Sequence, residues 1–291
     1  MTLTTIRGVP VIALTGTRAL ECNSAYELAI LLRQQDDAGA DTGAVSFREY
    51  DTGSQPVPGN GYIAELRDSD RRNLLATGSV AQRGARARIE LPMTASTNDP
   101  ATDWTTGAVT LVVKYPDLSD QTVTVPPIVT VTYTWVAGTP AAANEVRATT
   151  SIAESIDNLV RTINGDLDYG DLVSAYPGSA ACKELVSYRE GTTLVIEARD
   201  GGVWGNGVEL TTNVAYTTGA TTKLLSGGNG RRGLALTFDA ADLPNSLMAS
   251  GFDVMRRCYL DIMGLDYDNE PTKLVACPAQ LHATATGLPS S

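Results

Sequence analysis

Residues 1–136 are a run of short segments rich in Val, Ile, Thr and Tyr, separated by turn residues. The segments are 9–19, 44–50, 62–67, 74–81, 87–91, 109–115 and 122–136. The turns are Asp-Thr-Gly at 41–43, Pro-Gly-Asn-Gly at 58–61, Asn-Asp-Pro at 98–100 and Pro-Asp at 116–117. β-Branched and aromatic side chains suit a pleated, half-buried surface. Short strands broken by such turns suggest an all-β sandwich. Residues 26–35 are ambiguous. Ser24 and Glu27 have capping-box spacing, but the flanking strands favour a strand. Pro126 and Pro127 interrupt the last segment, so they belong at an edge or between two strands.

Residues 137–144 (Ala-Gly-Thr-Pro-Ala-Ala-Ala-Asn) contain nothing that anchors a core, so 137–146 reads as a linker with a flexible joint within 137–144. The clearest helix follows. Ser151 and Glu154 form a capping box, while Ile152, Ile156, Leu159, Val160 and Ile163 make one apolar stripe. Asn164-Gly165 supplies the stop. Strands are expected at 183–188, 192–199, 208–215 and 223–225, with a glycine-rich loop at 200–207, so 147–235 reads as a small α+β unit. The spacing of Met255, Cys258, Tyr259 and Ile262 predicts a helix within 246–263, and 279–291 reads as a loose tail. The expected organisation is mainly β with some α. A β-sandwich occupies 1–136, the linker 137–146, the α+β domain 147–235, and a helix with an extended tail 236–291.

Lys and Arg number 22 against 33 Asp and Glu, a net charge of −11. Such a chain repels nucleic acid and anionic membranes unless it carries a local basic patch. No apolar run reaches membrane-spanning length, and the first residues lack a basic segment followed by an apolar one, so neither a membrane span nor a signal peptide is expected. Cys22, Cys182, Cys258 and Cys277 are far apart and lack metal-ligand spacing. They read as buried or semi-buried thiols. A Cys258–Cys277 bridge would need an oxidising environment.

Gly228, Gly230 and Gly233 match GxGxxG, but Leu234–Phe238 alternates like a strand where a dinucleotide site needs a helix. The motif therefore reads as a turn, and no cofactor is expected. His282 is the one histidine, near the end of the chain, so no Ser-His-Asp or Cys-His arrangement can be assembled around it and an enzyme is the least supported class. Asp261, Asp266, Asp268, Asn269 and Glu270 are a short acidic cluster. Calcium is one reading of it and a solvated loop the other, because the EF-hand pattern is missing.

One charge feature stands apart. Arg67, Arg71, Arg72, Arg83, Arg86 and Arg88 face only Asp68, Asp70 and Glu90 between positions 67 and 90. Exposed charge is the default for arginine. The sharper reading is a subunit interface that meets the acidic surface of a neighbouring copy. Arg86 and Arg88 are expected to share one strand face. Arg86→Glu with Arg88→Glu is then expected to block assembly and leave the monomer folded.

Four further stretches carry a resemblance. Ile152-Ala153-Glu154-Ser155-Ile156 leads to Ile163-Asn164. Thr193-Leu194-Val195-Ile196-Glu197-Ala198-Arg199 is followed by Gly202-Val203-Trp204-Gly205-Asn206-Gly207-Val208-Glu209-Leu210, and then by Leu225-Ser226-Gly227-Gly228-Asn229-Gly230. In this order and spacing, residues 146–230 resemble a domain of bacteriophage tail sheath proteins and related tail components. Sheath proteins of contractile tails are longer, with a larger α/β portion after this domain, whereas only 61 residues follow Gly230 here. The N-terminal part looks like the immunoglobulin-like modules of phage tail, neck or capsid decorations. The resemblance implies a virion structural protein of a tail, neck or collar, made in the host bacterial cytoplasm. Its expected partners are copies of itself in a ring or helical assembly and other virion proteins of the tail tube, neck or capsid. A capsid decoration protein and a host-surface carbohydrate-binding module are the alternatives.

Overall fold

The computed structural model describes residues 20–31, 33–35, 41–44, 62–106, 110–119, 123–165, 176, 178–212, 222–248, 255–265 and 271–283. The expected strands at 9–19 and 45–50, the end of the 208–215 strand, the acidic residues 266–270 and the last eight residues lie outside them. The chain divides into two units. One is Met1–Arg83 together with Arg232–Ser291, and the other is the continuous stretch Gly84–Arg231.

The first unit begins with β1 (Leu20–Glu21), β2 (Tyr26–Ile30), β3 (Arg33–Gln35), β4 (Asp41–Ala44), β5 (Tyr62–Asp68) and β6 (Leu74–Gln82). The inserted unit carries β7 (Arg88–Pro92), α1 (Pro100–Asp103), β8 (Thr110–Pro116), β9 (Ile128–Val136), β10 (Glu145–Arg147), α2 (Ile152–Asn164), β11 (Leu185–Glu190), β12 (Thr193–Ala198), β13 (Glu209–Thr212) and β14 (Thr222–Leu224). The chain then returns with β15 (Leu234–Phe238), β16 (Met255–Leu265) and β17 (Pro271–His282). The protein is thus mainly β.

In the first unit, a seven-stranded sheet runs β1-β17-β16-β5-β6-β15-β2. Alternation puts Ala64, Leu66, Ala76, Val80, Cys258, Leu260 and Ile262 on one buried face, where Leu236 and Phe238 join them. This sheet corrects the expectation of an independent sandwich over 1–136. β5 pairs with β16, and β6 pairs with β15 across about half the chain length. The strands from β7 to β9 belong to the inserted unit instead.

The predicted C-terminal helix is also overturned: Met255–Leu265 is a strand. Its apolar residues fit helical spacing, but Cys258, Leu260 and Ile262 also fit a period of two, and short patterns do not separate the two periods. Pairing with β17 on one side and β5 on the other satisfies its backbone groups and decides for strand. The expected loose tail is corrected in part, since Ala279 and Leu281 are buried in β17.

The inserted unit has a five-stranded sheet, β10-β9-β8-β13-β14, and a three-stranded one, β11-β12-β7. With α2 they close on one core that includes Trp104, Leu111, Val113, Tyr133, Ile156, Leu159, Leu194, Ile196 and Leu210. The helix forms where its signals place it. The Ser151 side chain accepts from the Glu154 N–H, and Gly165 ends the helix at φ 78°. The Thr149 hydroxyl donates to the Glu154 carboxylate at 3.0 Å, so the glutamate does not complete a box with Ser151. Asn164 fastens the helix end to β11. It donates to the Ser187 carbonyl at 2.9 Å and accepts from the Ser187 N–H at 2.8 Å.

Residues 137–146, the expected linker, lie inside this unit. They connect β9 to β10, which runs parallel beside it with Thr134 opposite Glu145. Parallel neighbours usually need a long crossover. Here the chain backs up by only about two residues' length, because β10 is three residues long. The Glu145 carboxylate accepts from the Ala141 and Ala142 N–H groups, and Asn144, in the left-handed region at φ 64°, accepts from the Ala180 N–H at 2.7 Å. Small residues fit this tight turn, and local composition does not separate that use from a linker. Among the described residues no helix is long and apolar enough to cross a membrane.

Candidate subunit interface

The six arginines fall into two groups. Arg67, Arg71, Arg72 and Arg83 belong to the first unit, and Arg86 and Arg88 to the inserted one. Arg67 in β5 donates twice to Glu65 of the same strand, at 2.9 and 2.6 Å. Arg71 and Arg72 occupy the turn between β5 and β6. Arg71 adopts φ 62° and stacks its guanidinium over the Tyr259 ring, 4.1 Å from the centroid. Arg72 keeps 84% of its side chain exposed, with Asp70 at 3.7 Å. Asp68 ties this turn together. It accepts from the Arg72 N–H at 3.0 Å, the Asn73 N–H at 3.3 Å and the Asn73 side-chain amide. The Asp70 side chain, then Asn73 and these amides, hold the Asp68 carboxyl down at about 2. Arg83 donates through its backbone to the Gly233 carbonyl at 3.0 Å and through its guanidinium to the Arg232 carbonyl at 3.4 Å.

Arg86 and Arg88 do not present a common free face. Arg86 precedes β7 and reaches inward to Glu197 of β12 at 2.5 Å, with side chains only 14% and 5% exposed. Tyr188 donates to the same carboxylate at 3.2 Å. Arg88, half-exposed, pairs with Glu90 two residues along. Arg67, Arg86 and Arg88 therefore spend their charge on carboxylates of their own unit. Sequence spacing identified the arginines but missed Glu197, which lies over a hundred residues away from Arg86.

The glycine and asparagine residues of the resemblance meet in one place. Asn206 donates to the Gly228 carbonyl and accepts from the Gly228 N–H, each at 2.9 Å. Asn229 accepts from the Ala85 N–H at 3.0 Å and its own N–H donates to the Ala85 carbonyl. A methyl group on Gly201 would lie 1.9 Å from the Gly84 carbonyl oxygen, and one on Gly84 would lie 2.0 Å from the Asn229 carbonyl oxygen. The segments at 84–88, 200–207 and 225–230 thus touch backbone to backbone, and this contact requires glycine. No family model, no curated protein and no solved structure matches this chain.

The other sequence candidates separate. Gly228, Gly230 and Gly233 lead into β15. His282 is half-buried in β17, in register with Met255 and Glu21. Asp261 is buried in β16 opposite Glu65, and the rest of the acidic cluster lies outside the described residues. No group of three potential metal-binding side chains occurs among those residues. Cys22, Cys182 and Cys258 are buried. In the backbone register Cys258 is opposite Ala279 and Cys277 is opposite Leu260. Burial pushes the Cys182 thiol up to about 12, and the Tyr133 hydroxyl lies 3.3 Å from its sulfur.

Proposed function

We propose that the protein is a bacteriophage virion structural protein, a tail, neck or collar component that assembles in many copies by subunit packing. One observation carries the reading: the residues of the tail-sheath resemblance, distant in sequence, belong to one unit with one core. Ile156, Leu159, Leu194, Ile196, Val208, Leu210 and Leu225 pack together, and the glycine–asparagine contacts lock the loops of the same pattern. A motif whose parts are used to build one unit is more informative than three strand-turn patterns in a row. Its chemistry is structural, since glycines and amides here hold backbone against backbone.

The adhesion alternative needs aromatic faces on which sugars stack. Among the described residues the large exposed apolar side chains are aliphatic apart from Tyr176. Mass spectrometry of gradient-purified phage particles tests the proposal. The chain is expected at a fixed stoichiometry of several copies per particle. Its absence from particles made by cells that express it would overturn the reading.

A further inference from the structure

We propose that the outer face of the five-stranded sheet is a self-docking surface, which meets the same face of a second copy of this chain. This rests on the assembly reading above and names the surface that it would use. Along β8 and β9 every second residue is buried: Leu111, Val113 and Tyr115, and Val131, Tyr133 and Trp135. The alternate residues form the other face. Thr130 and Thr132 are exposed there, and cross-strand neighbours continue the surface with Val112 opposite Thr132 and Thr110 opposite Thr134. Thr211 and Thr222 extend it on β13 and β14, their hydroxyls 3.2 Å apart.

The face carries one ion pair near its centre, Lys114 with Glu209 at 2.6 Å. Lys114 holds the Glu209 carboxyl below its ordinary value, so the pair is charged and self-cancelling at neutral pH. At one end Ile128 and Leu224 are 62% and 57% exposed.

Charge selects the occupant. The chain is at −11, so copies repel one another over most approaches. In a two-fold contact each patch meets itself and must be self-complementary. An arginine patch fails this condition, because it would meet arginine. A face of hydroxyls and methyls with the Lys114–Glu209 pair, and with Glu145 and Arg147 along its β10 edge, carries as many positive as negative charges and satisfies it. Strands about 4.8 Å apart that rise ~3.3 Å per residue, with β8 and β9 long and β10, β13 and β14 short, give on the order of 400 Å² per copy. That is below the ~800 Å² of a standard interface, so the contact is weak and concentration-dependent unless other contacts in an assembly reinforce it.

Sedimentation equilibrium of the full chain over a hundredfold concentration range tests this. The wild type is expected to shift from monomer to dimer. Lys114→Glu, which sets a carboxylate against Glu209, is expected to lower the association constant at least tenfold with unchanged circular dichroism. Adding Glu209→Lys should restore it. Thr132→Arg should also block association. A wild type that stays monomeric, or variants that associate equally well, would overturn the self-docking face. The particle count by mass spectrometry separates the two ideas: a chain present in particles but monomeric in solution retains the virion reading and loses this one.

Discussion

Arg86 and Arg88 are two residues apart and have opposite consequences. Arg86 is buried against Glu197, and removing one partner of a buried pair leaves an uncompensated charge. Arg86→Glu is expected to destabilise the inserted unit by about 3–5 kcal/mol, read as a lower urea midpoint. Arg88→Glu faces Glu90 on the surface and should change stability by about 1 kcal/mol or less. The expectation that both changes leave the monomer folded is thereby corrected at Arg86. The sequence offers no sign of this difference, because Glu197 lies on a different strand. The glycine contacts behave similarly. Gly201→Ala forces a methyl group onto the Gly84 carbonyl and should cost about 1–3 kcal/mol or more as the backbone shifts, measured by the same denaturant titration. Cys182 is expected to resist iodoacetamide at pH 8 in the native protein and react once unfolded, because burial keeps it a thiol well above that pH. Rapid native labelling at Cys182, located by peptide mapping, would contradict this.

At the scale of elements, α2 was legible because every signal for it is local: an N-cap, a stripe at helical spacing and a glycine stop. The apolar side of that stripe is buried, with Ile156 and Leu159 at 0% and 1% exposure. Ile156→Ala should cost about 2–5 kcal/mol through lost transfer energy and a cavity. A loss under about 0.5 kcal/mol in a thermal or urea melt would mean the residue is not packed as described. The β16 strand was illegible for the converse reason. Its apolar spacing suits either period, and the decision comes from strands β5 and β17, the first of them about two hundred residues earlier. The 137–146 turn belongs with β16, since it looks like a joint until Asn144 and Glu145 are seen to bond across it.

At the scale of the whole molecule, the topology depends on one long-range event. The chain leaves the first sheet after β6, builds a complete unit, and returns at β15 to pair with the strand it left. Pairing at this separation leaves no trace in local pattern, so the mainly β character was legible and the division into units was not. The inserted unit has its own core, and residues 84–231 expressed alone are expected to fold, with a cooperative melt and dispersed amide resonances. A molten or unfolded fragment would show that the first unit supplies part of its stability. The candidate interface was legible only as charge. Five of the six arginines make ion-pair or cation–π contacts close by in the chain or across a strand, and the self-neutral threonine face appears only once β8, β9 and β13 are placed side by side. The central claim, a virion component present in many copies, is tested most directly by electron microscopy of intact particles that carry a labelled chain. The account predicts label repeated in a regular array on the tail, neck or collar; particles without label, from cells in which the labelled chain is folded and abundant, would contradict it.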